Sequence, residues 1–551
     1  MATFPSSGKT PLDIGSRLEL MIDDYLIDRL SSGAVRRLNR PTPREVVLVT
    51  DMPWEGNTCL YFTVFQDGPI YRMYYRGSHY VTTATTQEVP HPAVVCYAES
   101  ADGIHWTKPN LGLVEFNGSK QNNITLDKQE SRFPVSEFAP FKDANPNAAP
   151  DAKYKAWTVS YDPRGLHPLS SPDGIHWTPM SDEAVITHGL FDSHNLVFWD
   201  TVRGEYRDYH RSLYNETGAQ PYSAKIVTGR NADTPRGSRY GRDVLTATSQ
   251  DFIHWTDPVY INYTEGRIDE LYINGIIPYF RAPHIFLGFP ARYIDRGWSD
   301  AIEDLPELAH RRRRANAKSE NDTSERRGSA LTDSMFMTSR DGQTFKLWPE
   351  SFIRPGLRPR DNWAYGDNYP NWGLVTTKSA IDGAPDEISL YLTEGYWRGE
   401  SLNLRRYTLR IDGFVSVQAP LSGGEIVTKA LIFVGRQLVL NFSASAAGSI
   451  RVEILRDQMD APISGFSLDD CVEVLGDDLA RVVRWADGPD VSRLAGIPVR
   501  LRFVLKDADL FSFRFSEKEE YRRSPDRTSF FPSAVNRAGI LWIFRTPATP
   551  F

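Results

Sequence analysis

The chain has 551 residues, of which 40% are hydrophobic and 24% charged, and a formal net charge of -7. That length exceeds what one ordinary core organises, so it implies several domains or one large repeat domain with an appendage. The acidic balance excludes nucleic acid and an anionic membrane as natural partners, and no run of 18 apolar residues could cross a bilayer. Residues Met1 to Thr10 lack the apolar stretch of a secretory signal, so the expected location is cytoplasmic unless a leader has been removed. Cys59, Cys96 and Cys471 are too widely spaced for a metal pair or a disulfide framework, so no metal and no cofactor is expected. Self-association stays open.

In chain order, Leu18–Ile27 reads as a strand within an N-terminal segment, residues 1–40, that closes a ring by completing its last blade. Tyr61–Gln66 and Tyr71–Arg76 then alternate around Asp67-Gly68, a hairpin signal, and Ala93–Glu99 follows. That order returns in Tyr154–Tyr161, in Leu196–Trp199 with Glu205–Arg211, in Gly275–Phe280 with His284–Pro290, and in Gly373–Thr377 with Ile388–Thr393. Between these strands one phrase recurs: Ser100-Ala-Asp-Gly-Ile-His-Trp106, Ser171-Pro-Asp-Gly-Ile-His-Trp177, Ser249-Gln-Asp-Phe-Ile-His-Trp255 and a decayed Ser339-Arg-Asp-Gly-Gln-Thr-Phe345. Ile411-Asp-Gly-Phe414 is a weaker fifth copy, and the aspartates stand 71 to 90 residues apart. This spacing suits four-stranded blades with long loops. Ser and Asp side chains accept backbone N–H groups in such a turn and Gly takes the left-handed position, so His105, His176 and His254 are turn residues rather than ligands.

These elements predict an all-β chain: a five-bladed β-propeller over residues 41–410, followed by a β-sandwich over 411–551. The sandwich is read from the Val, Leu and Arg alternation of Ala430–Phe442, Ser449–Leu455, Ala480–Trp485 and Val499–Leu505. The charged run from His310 to Arg327 reads as a solvated surface loop.

In a propeller the innermost strands line one funnel, so equivalent residues of successive repeats converge. Each blade offers a carboxylate followed by an asparagine: Trp54-Glu55-Gly-Asn57, Asp143-Ala-Asn145, Asp192-Ser-His194-Asn195, Glu270 with Asn274, and Asp367 in Tyr365-Gly-Asp367-Asn368. Paired carboxyl groups are what glycosidic cleavage needs, and Asn, His and Arg supply hydroxyl recognition. Asp143 and Asp192 are the central catalytic candidates, with Glu55 as nucleophile or base, Glu270 as alternate acid, and Asp24 a weaker alternative to Glu55. Trp54, Asn57, Asn145, His194, Asn195, Asn274, Arg292 and Asp367 are candidate sugar contacts. Arg76, Arg211 and Arg292 end second strands and face either the funnel or a neighbouring blade; in the funnel they would favour an acidic sugar or phosphate.

At fold level most of the chain resembles the five-bladed propeller glycoside hydrolases, families 32, 43, 68 and 130, with family 32 most similar in layout. Asp143 in Phe-Lys-Asp-Ala-Asn-Pro stands where that family's stabiliser would be and Asp192 where its acid would be. Leu501–Phe515 looks like its closing sandwich strands. The resemblance implies an exo-acting glycosidase with a carbohydrate substrate. The family's own Asp-Pro-Asn, Arg-Asp-Pro and Glu-Cys motifs are absent, so fructoside specificity does not carry over. A glycoside phosphorylase or a non-catalytic sugar-binding propeller is the alternative.

Overall fold

In the computed structural model the described residues are 10–517, apart from 32, 84–85, 215–240, 265–269, 320–321, 324, 358–361 and 458–460. Five antiparallel sheets radiate around an axis, each beginning with its innermost strand. Blade 1 is Leu60–Asp67, Ile70–Gly77, Val94–Ser100 and Trp106–Thr107. Blade 2 is Ala139–Lys142, Tyr154–Tyr161, Arg164–Ser171 and Thr178–Pro179. Blade 3 is Leu196–Asp200, Glu205–Tyr214, Gly241–Ser249 and Val259–Tyr260. Blade 4 is Ile277–Tyr279, Ala282–Gly288, Met337–Ser339 and Thr344–Leu347. Blade 5 takes Val375–Thr377, Glu387–Glu394 and Asn403–Arg410 from late in the chain and Thr42–Val49 from its beginning.

That last pairing corrects the expected closure. Thr42–Val49 completes blade 5 against Asn403–Arg410, whereas Glu19–Leu20 pairs with Phe513 and Ser512 in the C-terminal sheet. An outermost strand pairs on one side only, so polar Thr-Pro-Arg-Glu with Pro43 at its start suits that edge. The more apolar Leu18, Leu20 and Ile22 are buried instead, packed with Tyr279, Ile285, Leu390 and Phe414 of blades 4 and 5.

Every inner strand enters from one face of the ring, called here the mouth, and leaves at the opposite face, the base. Four recurring turns lie at the base, joining third to fourth strands. Asp102 Oδ1 accepts the N–H groups of Ile104 and His105 at 2.8 Å, and His105 Nδ1 meets Asp102 Oδ2 at 2.8 Å. The same bonds form around Asp173 and Asp251, and Asp341 keeps the backbone part with Gln343 and Thr344. In the third copy Phe252 occupies the left-handed position, φ 72°, that Gly103 and Gly174 fill elsewhere. Its buried ring stacks on Trp157 with centroids 4.7 Å apart, and this packing offsets the backbone cost.

Asp412 is not a fifth such turn. Because blade 5 borrows its outer strand from the beginning of the chain, no third-to-fourth connection exists there. The buried Asp412 carboxylate instead accepts from Tyr279 at 2.6 Å, Arg281 at 2.9 Å and Ser512 at 2.8 Å, tying blade 4 to the C-terminal domain.

The C-terminal domain sits on the base side. Two long strands, Gln437–Arg456 and Val499–Ser516, pair twice, with register breaks at Asn441/Phe442 and Ala444/Ser449. Of the four segments read from the sequence, the later part of Ala430–Phe442 thus runs together with Ser449–Leu455 in the first long strand, Ala480–Trp485 overlaps the separate strand Asp477–Val482, and Val499–Leu505 opens the second long strand. The folded-over sheet encloses Phe433, Phe442, Ile454, Trp485, Phe503 and Phe515.

The charged run is likewise not a loop over its first part, and residues 320, 321 and 324 lie outside the described residues. Leu308–Asn316 is a helix on the mouth side, and its three-residue spacing turns Arg311 and Arg314 inward, 2% and 1% exposed. Arg311 binds the carbonyls of Pro306, Gly328 and Trp363.

Candidate active site

Six residues of chain span the difference between Glu137 and Asp143, and they lie on opposite faces of the ring. Glu137 precedes the inner strand Ala139–Lys142 and stands at the mouth; Asp143 follows it and stands at the base. Asp192 precedes the inner strand Leu196–Asp200 of blade 3 and is therefore a mouth residue. The structure thus brings Asp192 together with Glu137, which the sequence reading passed over, and separates it from Asp143.

Glu137 is 3% exposed. Its partners are hydroxyls, from Ser136 and from Tyr161 at the mouth end of the neighbouring strand Tyr154–Tyr161. Burial, followed by the nearby Asp192 charge, pushes its carboxyl up to about 7, with the Ser136 hydroxyl, Arg76 and Tyr161 acting in the other direction. Asp192 is of the opposite character: its side chain is 57% exposed and accepts from Arg211 Nη2 at 2.8 Å. One carboxyl is held protonated near neutral pH, and the other is solvated beside a cation.

Aromatic rings and guanidinium groups wall this pair. The Arg76 guanidinium lies 5.1 Å from the Tyr61 ring centroid and Arg211 lies 5.3 Å from that of Tyr272. Tyr272 and Tyr365 share a hydrogen bond between their hydroxyls at 2.8 Å. Below them the axis is plugged: His194, 2% exposed, meets Thr63 Oγ1 at 3.1 Å and packs beside Tyr61 and Trp372. Burial pulls its imidazole down to about 3, so His194 is neutral and closes the funnel rather than handling protons.

The remaining candidates sort differently. Glu55 is buried inside blade 1, bound by Tyr75 at 2.5 Å, Lys108 at 2.7 Å and the Met52 N–H at 3.0 Å. Asp24, at the sandwich edge, pairs with Arg36 and Lys346. At the base, Asp143 pairs with Lys155 and accepts from Tyr206 at 2.6 Å and from the Asn145 N–H at 2.8 Å. Glu270 is a mouth residue, but it is held by Arg242 at 2.7 Å beneath Gly241, where a Cβ would come within 2.6 Å of its carboxyl carbon. Asp367 binds the Tyr396 N–H at 2.7 Å and Arg398 at 2.8 Å with no side-chain exposure.

The asparagines organise backbone. Asn57 clamps Tyr80 and Gly399, Asn195 bonds the Phe191 carbonyl at 2.7 Å, and Asn274 caps Ile276 at 3.0 Å. Trp54 donates to Asn123 at 2.6 Å. Arg292 is held in a two-bonded pair with Asp333, at 2.8 and 2.5 Å, in the lining of a groove of about 430 Å³ that includes neither Glu137 nor Asp192. Among the described residues no group of three or more His, Cys, Asp or Glu is placed to hold a metal ion.

The molecule is thus a five-bladed propeller with a buried carboxyl, Glu137, and a solvent-exposed one, Asp192, at the mouth. No family model matches the chain. Over 56 residues, 10% of its length, it is 45% identical to the uncharacterized proteins Rv1502 and MT1551 of two strains of Mycobacterium tuberculosis, and this match covers 18% of those proteins. Similar solved structures include an N-acetylgalactosamine deacetylase from F. plautii in complex with blood group B trisaccharide, with 11% identity, 69% of this chain and 96% of that one covered, and a TM-score of 0.37. A glycosyl hydrolase from Bacteroides ovatus gives 13%, 69%, 96% and 0.34, and an alpha-L-arabinofuranosidase from Clostridium thermocellum gives 12%, 64%, 91% and 0.35.

Proposed function

We propose that the chain is a glycoside hydrolase acting at the mouth of the propeller, with Glu137 as proton donor and Asp192 as the carboxylate opposite it. The observation that carries this reading is the divergence of two neighbouring carboxyl environments. Burial and the Asp192 charge keep a proton on Glu137 up to about pH 7, while Asp192 sits solvated beside Arg211. Two carboxyl groups in environments this different can divide acid and base work between them.

Glu137 protonates the leaving glycosidic oxygen. Asp192 supplies negative charge at the anomeric carbon, either by attacking it or by taking a proton from the attacking water; the anomeric configuration of the first-released sugar, read by NMR, distinguishes these routes. The half-buried Tyr365, hydrogen-bonded to the buried Tyr272, offers a ring face to the sugar. The plug formed by Thr63, His194 and Trp372 leaves one entrance, which suits removal of a terminal residue. Glycoside screening with the wild-type chain and with Glu137→Gln tests the proposal. Release of sugar by the first and loss of at least about a hundredfold in the second are expected; unchanged release by the variant would sink it.

A further inference from the structure

Among the described residues, several buried or half-buried arginines at the mouth stand beyond ion-pair distance of any carboxylate. Three others have carboxylate partners: Arg211 with Asp192, Arg242 with Glu270, and Arg398 with both Asp367 and Glu307. Arg76, Arg314 and Arg326 have none within ion-pair distance among the described residues. Arg76 donates to the Thr58 carbonyl at 2.8 Å, Arg314 to the Tyr365 carbonyl at 3.0 Å, and Arg326 reaches the Tyr293 hydroxyl at 3.5 Å. Arg76 Nε, Arg314 Nε, and both Nε and Nη1 of Arg211 are buried without a hydrogen-bond partner among the described residues. Burial lowers the proton affinity of the Arg314 guanidinium to about 10.

Guanidinium groups without a counter-charge are costly to bury, and orphaned donors add to the cost. These groups also converge. The Tyr272–Tyr365 pair touches Arg211 and Arg242 through Tyr272, with centroid distances of 5.3 and 5.1 Å, and Arg314 through Tyr365 at 5.7 Å. Arg326 acts on Tyr293, whose ring centroid is 5.8 Å from that of Tyr365. The exposed Asp192 adjoins the same cluster through Arg211. In a chain of net charge -7, the described residues thus gather guanidinium groups with orphaned donors at the proposed site of cleavage.

We infer that the sugar taken at this mouth is acidic, a uronic acid whose carboxylate is received at the Tyr272–Tyr365 pair by Arg211, Arg314 and Arg326. This rests on reading the mouth as a carbohydrate site. A planar carboxylate accepts from two guanidinium forks at once, whereas a neutral sugar offers only hydroxyls and leaves those guanidinium groups without a counter-charge. Tyr365, half-buried between Tyr272 and Arg314, is placed to carry the ring face of the same residue.

The test is calorimetric binding to the full chain, comparing glucuronides, galacturonides, iduronides and mannuronides with their neutral counterparts, with and without inorganic phosphate. The expected result is at least about tenfold tighter binding of one uronide than of its neutral counterpart, weakening as salt is raised. Arg326→Gln should remove most of that preference, and Arg314→Lys, which keeps the charge, should retain part of it. Equal affinity for every acidic and neutral pair overturns the inference, and so does binding or turnover that responds to free phosphate but not to the sugar's carboxylate. Uronide binding without sugar release would keep this inference and remove the hydrolase reading; release from neutral glycosides alone would do the reverse.

Discussion

Glu137 and Asp143 flank the same four-residue strand and could hardly differ more. At the base, Asp143 has a lysine, a tyrosine hydroxyl and a backbone N–H, and its side chain has no exposure. At the mouth, Glu137 has two hydroxyls and a like charge for company. A carboxylate whose acceptor capacity is filled by the scaffold is part of the scaffold. One left short, and protonated in consequence, is available for proton transfer.

The largest expected effects test the mouth. Glu137→Gln and Asp192→Asn should each lower kcat/KM by about 10² to 10⁴-fold against any substrate the chain turns over. The wild-type profile of kcat/KM should fall as pH rises through about 7, where Glu137 loses its proton. Stability carries the same signature. The folded-state affinity of Glu137 for its proton lies above the unfolded value, so its contribution to stability is complete below about pH 4.5 and lost as pH rises toward 7. Glu137→Gln cannot ionise, so at pH 8 it should melt above the wild type while being inactive. The gain is bounded by about 3 kcal/mol, and a lower melting temperature at pH 8 would contradict the assignment.

The base behaves in the opposite way. Asp143→Asn leaves Lys155 buried without its counter-ion, so stability should drop by about 3 kcal/mol while kcat/KM changes by less than about threefold. Glu55→Gln, which strips Lys108 of its buried partner, should give the same pattern with a smaller loss, because Asp51 still accepts from Lys108 at 3.1 Å. Urea melts and steady-state rates on the same preparations measure both. A hundredfold loss of activity in Asp143→Asn with the fold intact would move the active site to the base.

How far the sequence reveals these roles depends on the range of the forces involved. The Ser-x-Asp turns are legible because they are complete within six residues, and they locate the blades. Blade closure is not local. Leu18–Ile27 reads as the closing strand, and only the buried space beside blades 4 and 5 decides that it goes to the C-terminal sheet while the more polar Thr42–Val49 closes the ring. Alignment by a carboxylate followed by an asparagine finds Asp192 but takes Asp143 in blade 2, on the wrong side of its strand. A usable signal was present: Phe138-Ala-Pro-Phe141 is the apolar core of the inner strand, so a mouth carboxylate must precede it, which Glu137 does. The asparagines misled because Asn bonds its own backbone wherever a strand begins. Arg311 and Arg314 misled because a charged run reads as solvated until a packed helix turns two of its members inward.

The smallest predicted effect concerns the recurring turns, which share the base with Asp143 but face solvent. Asp251→Ala removes two backbone hydrogen bonds, to Ile253 and His254, from a side chain already 52% exposed. Water replaces those partners, so the cost should be about 1 kcal/mol, comparable to losing a helix cap, with no change in activity. Phe252 sharpens the point, because its left-handed backbone is held by stacking on Trp157 as well as by the turn. Loosening the turn should therefore cost less than the sum of its two hydrogen bonds. A loss above about 3 kcal/mol in Asp251→Ala would mean that the turn, not the Trp157–Phe252 stack, holds blades 2 and 3 together at the base.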